Sequence, residues 1–445
     1  MNIKIYNSLT NQIEDFHPVK PQEISIYVCG PTVYNDIHIG NARPVVFFDT
    51  VARFFKYLGY NVRMVSNFTD IDDKIIMRAK ELGISETEVA KHYIDEFLRI
   101  NNLLGAEPLL ARPRVTEYME AIINYIKVML DKGVAYQSGT DVYFRISSVP
   151  DYGLLSNQKM EDLEVGSRIE VDSAKEDPRD FVLWKQTDEG IMWDSPFGKG
   201  RPGWHTECVV MIDSIFQGEI DIHGGGNDLK FPHHENEIAQ ALAVSNHTIA
   251  KYWVHNARID LSGEKMSKSL GNVVWAKDVL QKYSGNVVRL MILNNHYRQT
   301  ILFKEELLDR SVVEFDKIER SFLSLYRTLE LNDAFEDAGV HPLMNEFLDY
   351  MADDFSTPNA ITVLFQLIKE INIAIRSQES YYKLNQFFAA FQGMLYILGL
   401  HVDVIPLSDT DKSLVRAWQG AREMKDFQQA DLLRAEIAKR GIKLS

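Results

Sequence analysis

The sequence predicts an α/β protein built on a doubly wound parallel sheet, with an insertion in the sheet domain and an all-helical part after it. Three observations predict this architecture. Near the amino terminus a strand, a helix and a second strand follow one another with short connections, which is the pattern of a parallel crossover unit. Strand and helix patterns return between residues 203 and 258, after a stretch of mixed pattern. From about residue 303 onward, apolar residues recur with the helical period.

The first crossover unit is the clearest part of this pattern. The stretch "EISIYVCG" alternates and then becomes continuously apolar, which is typical of a strand. The stretch "ARPVVFFDTVARFFKYLGY" has helical apolar spacing and ends at Gly59, and "NVRMVSNF" is typical of the next strand. The stretch "SNFTDIDDKI" then opens a further helix, for which Thr69 is the expected N-cap.

The residues between about 104 and 200 predict a connective insertion into the sheet domain. They contain a helical stretch, "VTEYMEAIINYIKVMLDKG", a hairpin pattern, "VAYQSGTDVYFRI", and polar loops. The later helical part has breaks near "FSTPNA" and "LGLHVDVIPL". The chain shows no internal repeat and no low-complexity tract.

The composition indicates an ordinary globular protein. The chain has 445 residues, of which 45% are hydrophobic and 25% charged, enough to bury a sizeable core. No apolar run reaches the ~18 residues of a membrane span, and the first residues lack the layout of a secretory signal. Two cysteines, Cys29 and Cys208, imply no disulfide framework. We therefore expect a cytoplasmic protein without membrane association.

The net charge of −15 argues against a protein that binds nucleic acid over its whole surface. The charge is uneven, however. Residues 411–445 contain eight Lys and Arg against five Asp and Glu, a local balance of 8 − 5 = +3. A basic end on an acidic body is compatible with one face that contacts phosphates.

The loop "NDIHIGN" follows the first strand and precedes the first helix. This places His38, Gly40 and Asn41 at a helix N-terminus. Backbone N–H groups and the helix dipole favour an anion there, and Gly lets a ligand approach the backbone closely. Taken alone, the loop is also explained as a capped helix start with an incidental His.

A second loop, "DLSGEKMSKSLGN", is polar and punctuated by Gly. Its lysines, Lys265 and Lys268, lie three residues apart. Lysines in such a loop suit the charge that develops on a triphosphate as pyrophosphate leaves. By composition alone, a solvated surface turn explains the same residues.

Two further sets of polar residues are candidates for a site. Cys29, Cys208, His233 and Glu237 are of the types that bind Zn²⁺, and a His and a Glu four apart share a helix face. The same four residues are also explained as two buried free thiols and two polar side chains on a solvated helix face.

The stretch "HGGGNDL" predicts a Gly-rich turn after a strand. In this turn, Asp228 either offers a carboxylate to an ammonium or hydroxyl group or serves only as a cap.

Together these motifs resemble a known family. The two loops, His-Ile-Gly-Asn and Lys-Met-Ser-Lys-Ser, are similar to the two signatures of class I aminoacyl-tRNA synthetases, with Asn41 where the family usually has His. Further motifs, which lie between residue 1 and about residue 303, resemble those of the cysteinyl-tRNA synthetase family. They are "YVCGPTVYNDIHIGNARP", "SNFTDIDDK", "EDPRDFVLWK", "WDSPFGKGRPGWHTEC", "DIHGGGNDLKFPHHENEIAQ" and "EKMSKSLGN".

The resemblance implies a role for each candidate residue. It implies one Zn²⁺ per chain, held by Cys29, Cys208, His233 and Glu237, which selects the thiol of the substrate. It implies that ATP, with Mg²⁺, is bound by the two signatures, and that the catalytic groups are His38, Lys265 and Lys268. The implied ATP-binding residues are His38, Gly40, Asn41, Lys265, Met266, Ser267 and Lys268. The implied amino-acid pocket contains Thr69, Trp204, His205 and Asp228.

The implied activity is that of an ATP-dependent, AMP-forming ligase. It activates L-cysteine to cysteinyl-adenylate and transfers the cysteine to tRNA(Cys), and we expect a monomer. Two alternatives stay open: a ligase of the mycothiol type, which shares the activation domain, and a zinc-stabilised RNA-binding protein without activity. The absence of a large insertion suits a pocket that selects its substrate by metal coordination and needs no editing domain.

The resemblance also implies a domain order. A split Rossmann-like sheet comes first, and a helical bundle and a small anticodon-binding region follow. Family members usually continue beyond residue 445 with an acidic tail, so we expect a shortened anticodon region. The expected segments are the first sheet half (1–110), the connective insertion (111–200), the second sheet half (201–258), the second-signature and stem-contact region (259–310), the bundle (311–400) and the anticodon-binding region (401–445).

Overall fold

The computed structural model describes residues 1–157, 174–261 and 273–442, and also the backbone of Glu264 and Lys265. The chain divides into two compact units. The α/β unit comprises Asn2–Ser284 and Tyr297–Phe303, and the helical unit comprises Met1, Gly285–His296 and Lys304–Ser445. The six predicted segments divide the chain more finely and stay predictions. In the described ranges, no helix combines the length and the apolar content that crossing a membrane requires.

The described residues of the α/β unit form four sheets. Its strands are β1 (Lys4–Asn7), β2 (Gln12–Asp15), β3 (Glu23–Val28), β4 (Asn61–Ser66), β5 (Ala135–Ser138), β6 (Asp141–Phe144), β7 (Phe181–Gln186), β8 (Gly200–Pro202), β9 (Ile220–Gly226), β10 (Ala250–Asn256), β11 (Ile259–Leu261), β12 (Glu264–Lys265) and β13 (Ile301–Phe303). Its helices are α1 (Ile39–Tyr57), α2 (Asp73–Leu82), α3 (Glu86–Leu103), α4 (Met119–Asp131), α5 (Glu207–Phe216), α6 (Glu235–Ser245) and α7 (Ala276–Lys282).

The central sheet is parallel, with the strand order β10–β9–β3–β4. The predicted doubly wound sheet is therefore confirmed. The chain moves from β3 to β4 on one side and later returns to β9 on the other side of β3. This makes β3 and β9 the strands at which the winding reverses, and ligands of such sheets bind outside the carboxyl ends of the strands at this point.

Close packing around β3 and β9 depends on small residues. A Cβ at Gly30, just after β3, would lie 1.7 Å from the carbonyl oxygen of Asn67, which follows β4. A Cβ at Gly224 would lie 2.2 Å from the ring of Phe48 on α1. The predicted Gly-rich turn at residues 223–229 is wrong for its first four residues, which continue β9 and pair with β10. The turn is a single 3-10 turn, Asn227–Leu229, that follows the strand. The glycines let α1 pack directly on that strand.

The expected N-cap at Thr69 is also wrong. Helix α2 starts at Asp73, and its N-cap is Asp72, whose side chain accepts from the N–H of Lys74 at 2.8 Å. Thr69 instead donates its N–H to the carbonyl of Pro31 at 3.2 Å and forms a parallel bridge with Thr32. The backbone after β4 thus stays extended beside the loop after β3, and this delays the helix by three residues.

The connective insertion and the smaller sheets agree with the sequence pattern. A single 3-10 turn, Val115–Tyr118, leads into α4, and β5 and β6 form the expected hairpin, to which β7 and β8 add antiparallel strands. Strands β1 and β2 form a separate hairpin. Strand β11 pairs with β12 antiparallel and with β13 parallel.

The helical unit confirms the helical period of the sequence after residue 303. Its helices are α8 (Gly285–Leu293), α9 (Glu305–Leu331), α10 (Leu343–Ala352), α11 (Thr357–Arg376), α12 (Tyr381–Leu398), α13 (Asp409–Glu423) and α14 (Phe427–Lys439). Buried residues recur along one face of α11, including Ile361, Leu364 and Ile368. This helix therefore buries an apolar stripe, as expected for a helix of a bundle.

Candidate active site

A cavity of about 390 Å³ opens at the carboxyl ends of the central strands. Val28 and Cys29 line it at the end of β3, Gly226 at the end of β9, and Asn256 at the end of β10. Its position matches the point at which the winding of the sheet reverses, where ligand sites of this sheet type lie.

The first signature forms one wall of this cavity. His38, Gly40 and Asn41 all line it. His38 is the N-cap of α1, and its N–H donates to the side-chain Oδ1 of Asn41 at 3.2 Å. Asn41 thus fixes the backbone at the start of α1. The N-terminus of a helix of this length favours a phosphate group in front of it.

The four predicted metal ligands come from three separate parts of the α/β unit. Cys29 follows β3, and Cys208 lies in the first turn of α5. His233 lies in a wide helical turn, Lys230–His234, that leads into α6, where Glu237 lies. Cys208, His233 and Glu237 are at most 2% exposed, and Cys29 is half-buried. Their donor atoms lie within 4.8 Å of one another. The structure therefore brings together residues that are up to 208 positions apart in the sequence.

The distances within this set suit a tetrahedral zinc ion. Sγ of Cys29 lies 3.5 Å from Sγ of Cys208, and Sγ of Cys208 lies 3.8 Å from Nε2 of His233. Oε1 of Glu237 lies 3.7 Å from Sγ of Cys29 and 2.9 Å from Nε2 of His233. Zinc forms bonds of about 2.3 Å to sulfur and about 2.0–2.2 Å to nitrogen or oxygen. With tetrahedral angles, these bonds place the ligand atoms roughly 3.4–3.8 Å from one another. Three of the four distances fall in that range.

The charges in this set indicate how it accommodates a cation. Burial raises the pKa of Cys29 well above its ordinary value, and Cys208 and Glu237 raise it further. Burial lowers the pKa of His233, but Glu237 and Cys208 outweigh it and raise the pKa to about 10. Both shifts favour the protonated forms of Cys29 and His233 at neutral pH. A bound divalent cation would take the place of these protons, since metal ligands bind in their deprotonated form.

His205 fixes the orientation of His233. The Nδ1 atoms of the two rings lie 3.1 Å apart. Burial and the neighbouring His233 lower the pKa of His205 to about 3, so its ring is neutral. Neutral His205 can accept the Nδ1–H of His233, which leaves Nε2 of His233 facing Cys208 and Glu237. Partners of this kind orient the ligands in metal sites.

Three histidines that the sequence did not identify surround the same site. Nε2 of His223 lies 2.6 Å from Oε2 of Glu237, and Nε2 of His234 lies 3.3 Å from Sγ of Cys29. Nδ1 of His234 in turn lies 2.8 Å from Nε2 of His255. Cys29, His223, His234 and Glu237 thus form a second group with the geometry of a metal site. The adjacent histidines in "FPHHENE" were the available signal for His234.

The four predicted residues of the amino-acid pocket lie at different depths. Trp204 and Asp228 line the cavity, and Trp204 is 41% exposed. The ring of Trp204 stacks on His233 with the ring centroids 4.3 Å apart. Thr69 is buried, and its hydroxyl donates to Oε2 of Glu207 at 3.1 Å. Trp204 and His205 therefore contact a metal-binding candidate, His233, directly, and Asp228 shares the cavity with Cys29.

The second signature lies largely outside the described residues. Met266, Ser267 and Lys268 are not described, and only the backbone of Lys265 is, in β12. The chain on either side of this signature is described. Ala257, Arg258 and Ile259, which precede it, line the same cavity as the first signature.

Comparison with known proteins agrees with this geometry. Residues 15–313 match the family described as tRNA synthetases class I (C) catalytic domain, and residues 346–403 match the DALR domain. Among solved structures, methionyl-tRNA synthetase of Mycobacterium tuberculosis bound by methionyl-adenylate has a TM-score of 0.62, with 14% sequence identity, over 92% of this chain and 96% of that chain. The leucyl-tRNA synthetase ternary complex of Agrobacterium radiobacter K84 has a TM-score of 0.60, with 10% identity, over 86% of this chain and 85% of that chain. These likenesses confirm the fold.

Curated relatives are similar over almost the whole chain. The cysteine–tRNA ligase of Acholeplasma laidlawii is 46% identical over 439 residues, which is 99% of both chains. That of Halalkalibacterium halodurans is 45% identical over 453 residues, 99% of this chain and 97% of the relative. On these matches, the chain belongs to the cysteine–tRNA ligase family of class I aminoacyl-tRNA synthetases.

Proposed function

We propose that this chain activates L-cysteine with ATP and transfers it to tRNA(Cys), and that both substrates of the first step bind in the cavity at the ends of β3 and β9. One observation carries this proposal. Cys29 and His38 line the same cavity, so the group that would select a thiol and the helix N-terminus that would hold a phosphate face a common space. The family match supports the same activity.

The first step is an attack of the cysteine carboxylate on the α-phosphate of ATP, which yields cysteinyl-adenylate and pyrophosphate. The carboxylate is ionised at neutral pH, so the step needs no general base. His38 and the N-terminus of α1 are proposed to steady the phosphates, and Lys265 and Lys268 the leaving pyrophosphate. ATP is expected to enter with Mg²⁺. Catalysis then depends on positioning and electrostatic stabilisation.

A zinc ion held by Cys29, Cys208, His233 and Glu237 would supply a Lewis-acidic position that prefers a thiolate to a hydroxyl group. Two thiolates, an imidazole and a carboxylate are suitable zinc ligands, and the distances among them support this choice. Serine offers a harder, more basic oxygen, and alanine offers no ligand. A site that requires one substrate atom can reject analogues that lack it by roughly 10⁴–10⁵.

The residues next to these ligands are proposed to bind the rest of the amino acid. Trp204 stacks on His233 and is exposed to the cavity, so its ring can cover the substrate side chain. Asp228 lines the same cavity and offers a carboxylate to the substrate ammonium group. Thr69 and His205 are proposed to support this pocket from positions next to Glu207 and His233.

The helical unit is proposed to contact the tRNA. The DALR match covers residues 346–403, and the excess of Lys and Arg in residues 411–445 supports a face that contacts phosphates. A monomer is proposed as the working unit. The proposed location is the cytoplasm, where the two thiols would stay reduced and available to a metal.

The test is cysteine-dependent exchange of pyrophosphate into ATP, followed by charging of tRNA(Cys), with zinc-loaded protein. We expect exchange with cysteine and none with serine or alanine, and charging that weakens when the anticodon is mutated. Exchange without charging would favour transfer of cysteine to another amine. The absence of both activities would favour an RNA-binding protein that uses zinc only for stability.

A further inference from the structure

The chain that leaves the second signature is attached directly to the first signature. Ile39 donates its N–H to the carbonyl of Val274 at 2.9 Å, and Ala276 donates its N–H to the carbonyl of Ile37 at 3.0 Å. These bonds form an antiparallel bridge between His38 and Trp275. Nearby, Nζ of Lys277 lies 2.6 Å from Oδ2 of Asp36. The carboxyl-terminal side of the second signature is therefore fixed against the residues that begin α1.

The chain that enters the second signature is attached to the same helix by a side chain, that of Arg43. Arg43 is 1% exposed and lies two residues after Asn41 on α1. Its Nη1 donates to the carbonyls of Ala257 at 2.8 Å and Arg258 at 2.9 Å. Its Nη2 donates to the carbonyl of Gln299 at 2.6 Å.

The three carbonyls belong to the two chain segments that start the small sheet. Ala257 and Arg258 connect β10 to β11, and Gln299 lies two residues before β13. The same segments also bond to each other, since Ile301 donates its N–H to the carbonyl of Arg258 at 3.0 Å. Arg43 thus holds the residues that precede β11, which leads into the second signature, and those that precede β13, which pairs with β11. A planar guanidinium can reach three fixed acceptors at once, whereas a lysine ammonium is a single point charge on a flexible stem.

We propose that Arg43 is a positioning residue for the activation step, which fixes the chain leading into Lys265 and Lys268 against the helix whose N-terminus carries His38. The proposal rests on the proposed roles of these two lysines and of His38. Arg43 is buried behind the first signature and donates to three backbone carbonyls, so it acts through the backbone of its neighbours. A displacement of about 1 Å in catalytic groups can cost on the order of 10²-fold in rate.

A purely structural role for Arg43 makes a different prediction. If the side chain served only the stability of the α/β unit, its replacement would affect the zinc site, cysteine binding and exchange together. If Arg43 is a positioning residue, its replacement lowers the kcat of pyrophosphate exchange and leaves the zinc content and the KM for cysteine unchanged. The zinc candidates lie on α5, on α6 and the turn before it, and at the end of β3, whereas the carbonyls that Arg43 binds lie before β11 and β13.

The test compares Arg43→Lys and Arg43→Met with a matched control, Arg289→Met. Arg289 is also fully buried and also donates to a carbonyl, that of Leu398 at 2.9 Å, but it lies in the helical unit. For Arg43→Lys we expect a fall in the kcat of pyrophosphate exchange of about 100-fold, with wild-type zinc content and KM for cysteine. Arg289→Met is expected to lower the thermal midpoint and to leave exchange unchanged.

Two results would overturn the proposal. The first is a wild-type kcat of exchange in Arg43→Lys. The second is a loss of zinc and of cysteine binding in Arg43→Lys that parallels its loss of exchange. If Arg43→Met does not fold, Arg43→Lys carries the test, because it keeps the charge and fills the site. Wild-type exchange measured beside the variants tests the proposed function separately, so failure of one does not conceal failure of the other.

Discussion

Nε2 of His223 lies 2.6 Å from Oε2 of Glu237, and both side chains are fully buried. Glu237 offers its other oxygen, Oε1, to His233 at 2.9 Å. The carboxylate is therefore held from both sides. The same contacts lower the pKa of Glu237 well below its ordinary value, although burial alone would raise it, because His223 and His233 stabilise the charged form.

Replacing His223 by Phe is expected to weaken zinc binding without abolishing it. The ring would keep its packing against Trp253, which stacks on His223 with the centroids 4.4 Å apart, but Oε2 of Glu237 would lose its donor. Loss of such a partner typically costs about 10–100-fold in metal affinity. Competition with a chromophoric chelator measures this change. His255→Phe is the control, since His255 contacts Ser8 and His234, and it should keep wild-type affinity.

The two overlapping donor groups make opposite predictions for Cys208 and His234. If zinc is held by Cys29, Cys208, His233 and Glu237, then Cys208→Ala removes a thiolate ligand and His234→Ala removes none. We expect Cys208→Ala to lose its zinc and His234→Ala to retain it, because zinc sites in proteins favour cysteine ligands. Elemental analysis after dialysis against a chelator measures both. Zinc retained in Cys208→Ala and lost in His234→Ala would assign the metal to the second group.

The comparison of these two groups shows what the sequence can predict. Local patterns make Cys29 a candidate because it follows an apolar strand, and His233 and Glu237 because residues four apart share a helix face. Buried free thiols and a solvated helix face explain the same patterns, and the family resemblance selects this ligand set. The role of His223 is not predictable in this way. It depends on β9 lying beside β3, a pairing between segments almost 200 residues apart that no local pattern encodes.

The errors at Thr69 and at the glycines have related causes. Thr69 has the right residue type for an N-cap, but its backbone is used in the bridge to Thr32, so the helix begins later. The glycines at 224–226 are typical of a turn, but the strand continues through them, and the ring of Phe48 leaves no room for a Cβ at Gly224. In both places a contact distant in sequence outweighs the local preference.

Trp204 is expected to contribute to cysteine binding more than to zinc binding. Its ring stacks on His233 and lines the cavity. Trp204→Ala is expected to raise the KM for cysteine about tenfold in pyrophosphate exchange, which is about 1.4 kcal/mol. Zinc content should stay at the wild-type level. Trp418→Ala in α13 is the matched control, since exchange does not require tRNA and this residue lies in the helical unit. An unchanged KM in Trp204→Ala, or a parallel loss of zinc, would contradict this role.

Gly30 is expected to be the glycine at which an added methyl group is most costly to the site. In Gly30→Ala the new Cβ would lie 1.7 Å from the carbonyl oxygen of Asn67, a backbone atom that cannot rotate away. The chains after β3 and β4 would have to separate, which would also move Cys29. We expect the free energy of unfolding of the α/β unit to fall by about 3 kcal/mol or more, together with weaker zinc binding.

Scanning calorimetry of Gly30→Ala and of a control, Gly420→Ala, measures this effect. A Cβ at Gly420 would meet nothing within 4 Å, and the residue lies inside α13. Ala is the better helix former, so Gly420→Ala should stabilise the helical unit by up to about 1 kcal/mol. The two substitutions add the same methyl group and should change stability in opposite directions. A wild-type transition for the α/β unit in Gly30→Ala would show that the chains after β3 and β4 can separate at little cost, and that their close approach does not determine the position of Cys29.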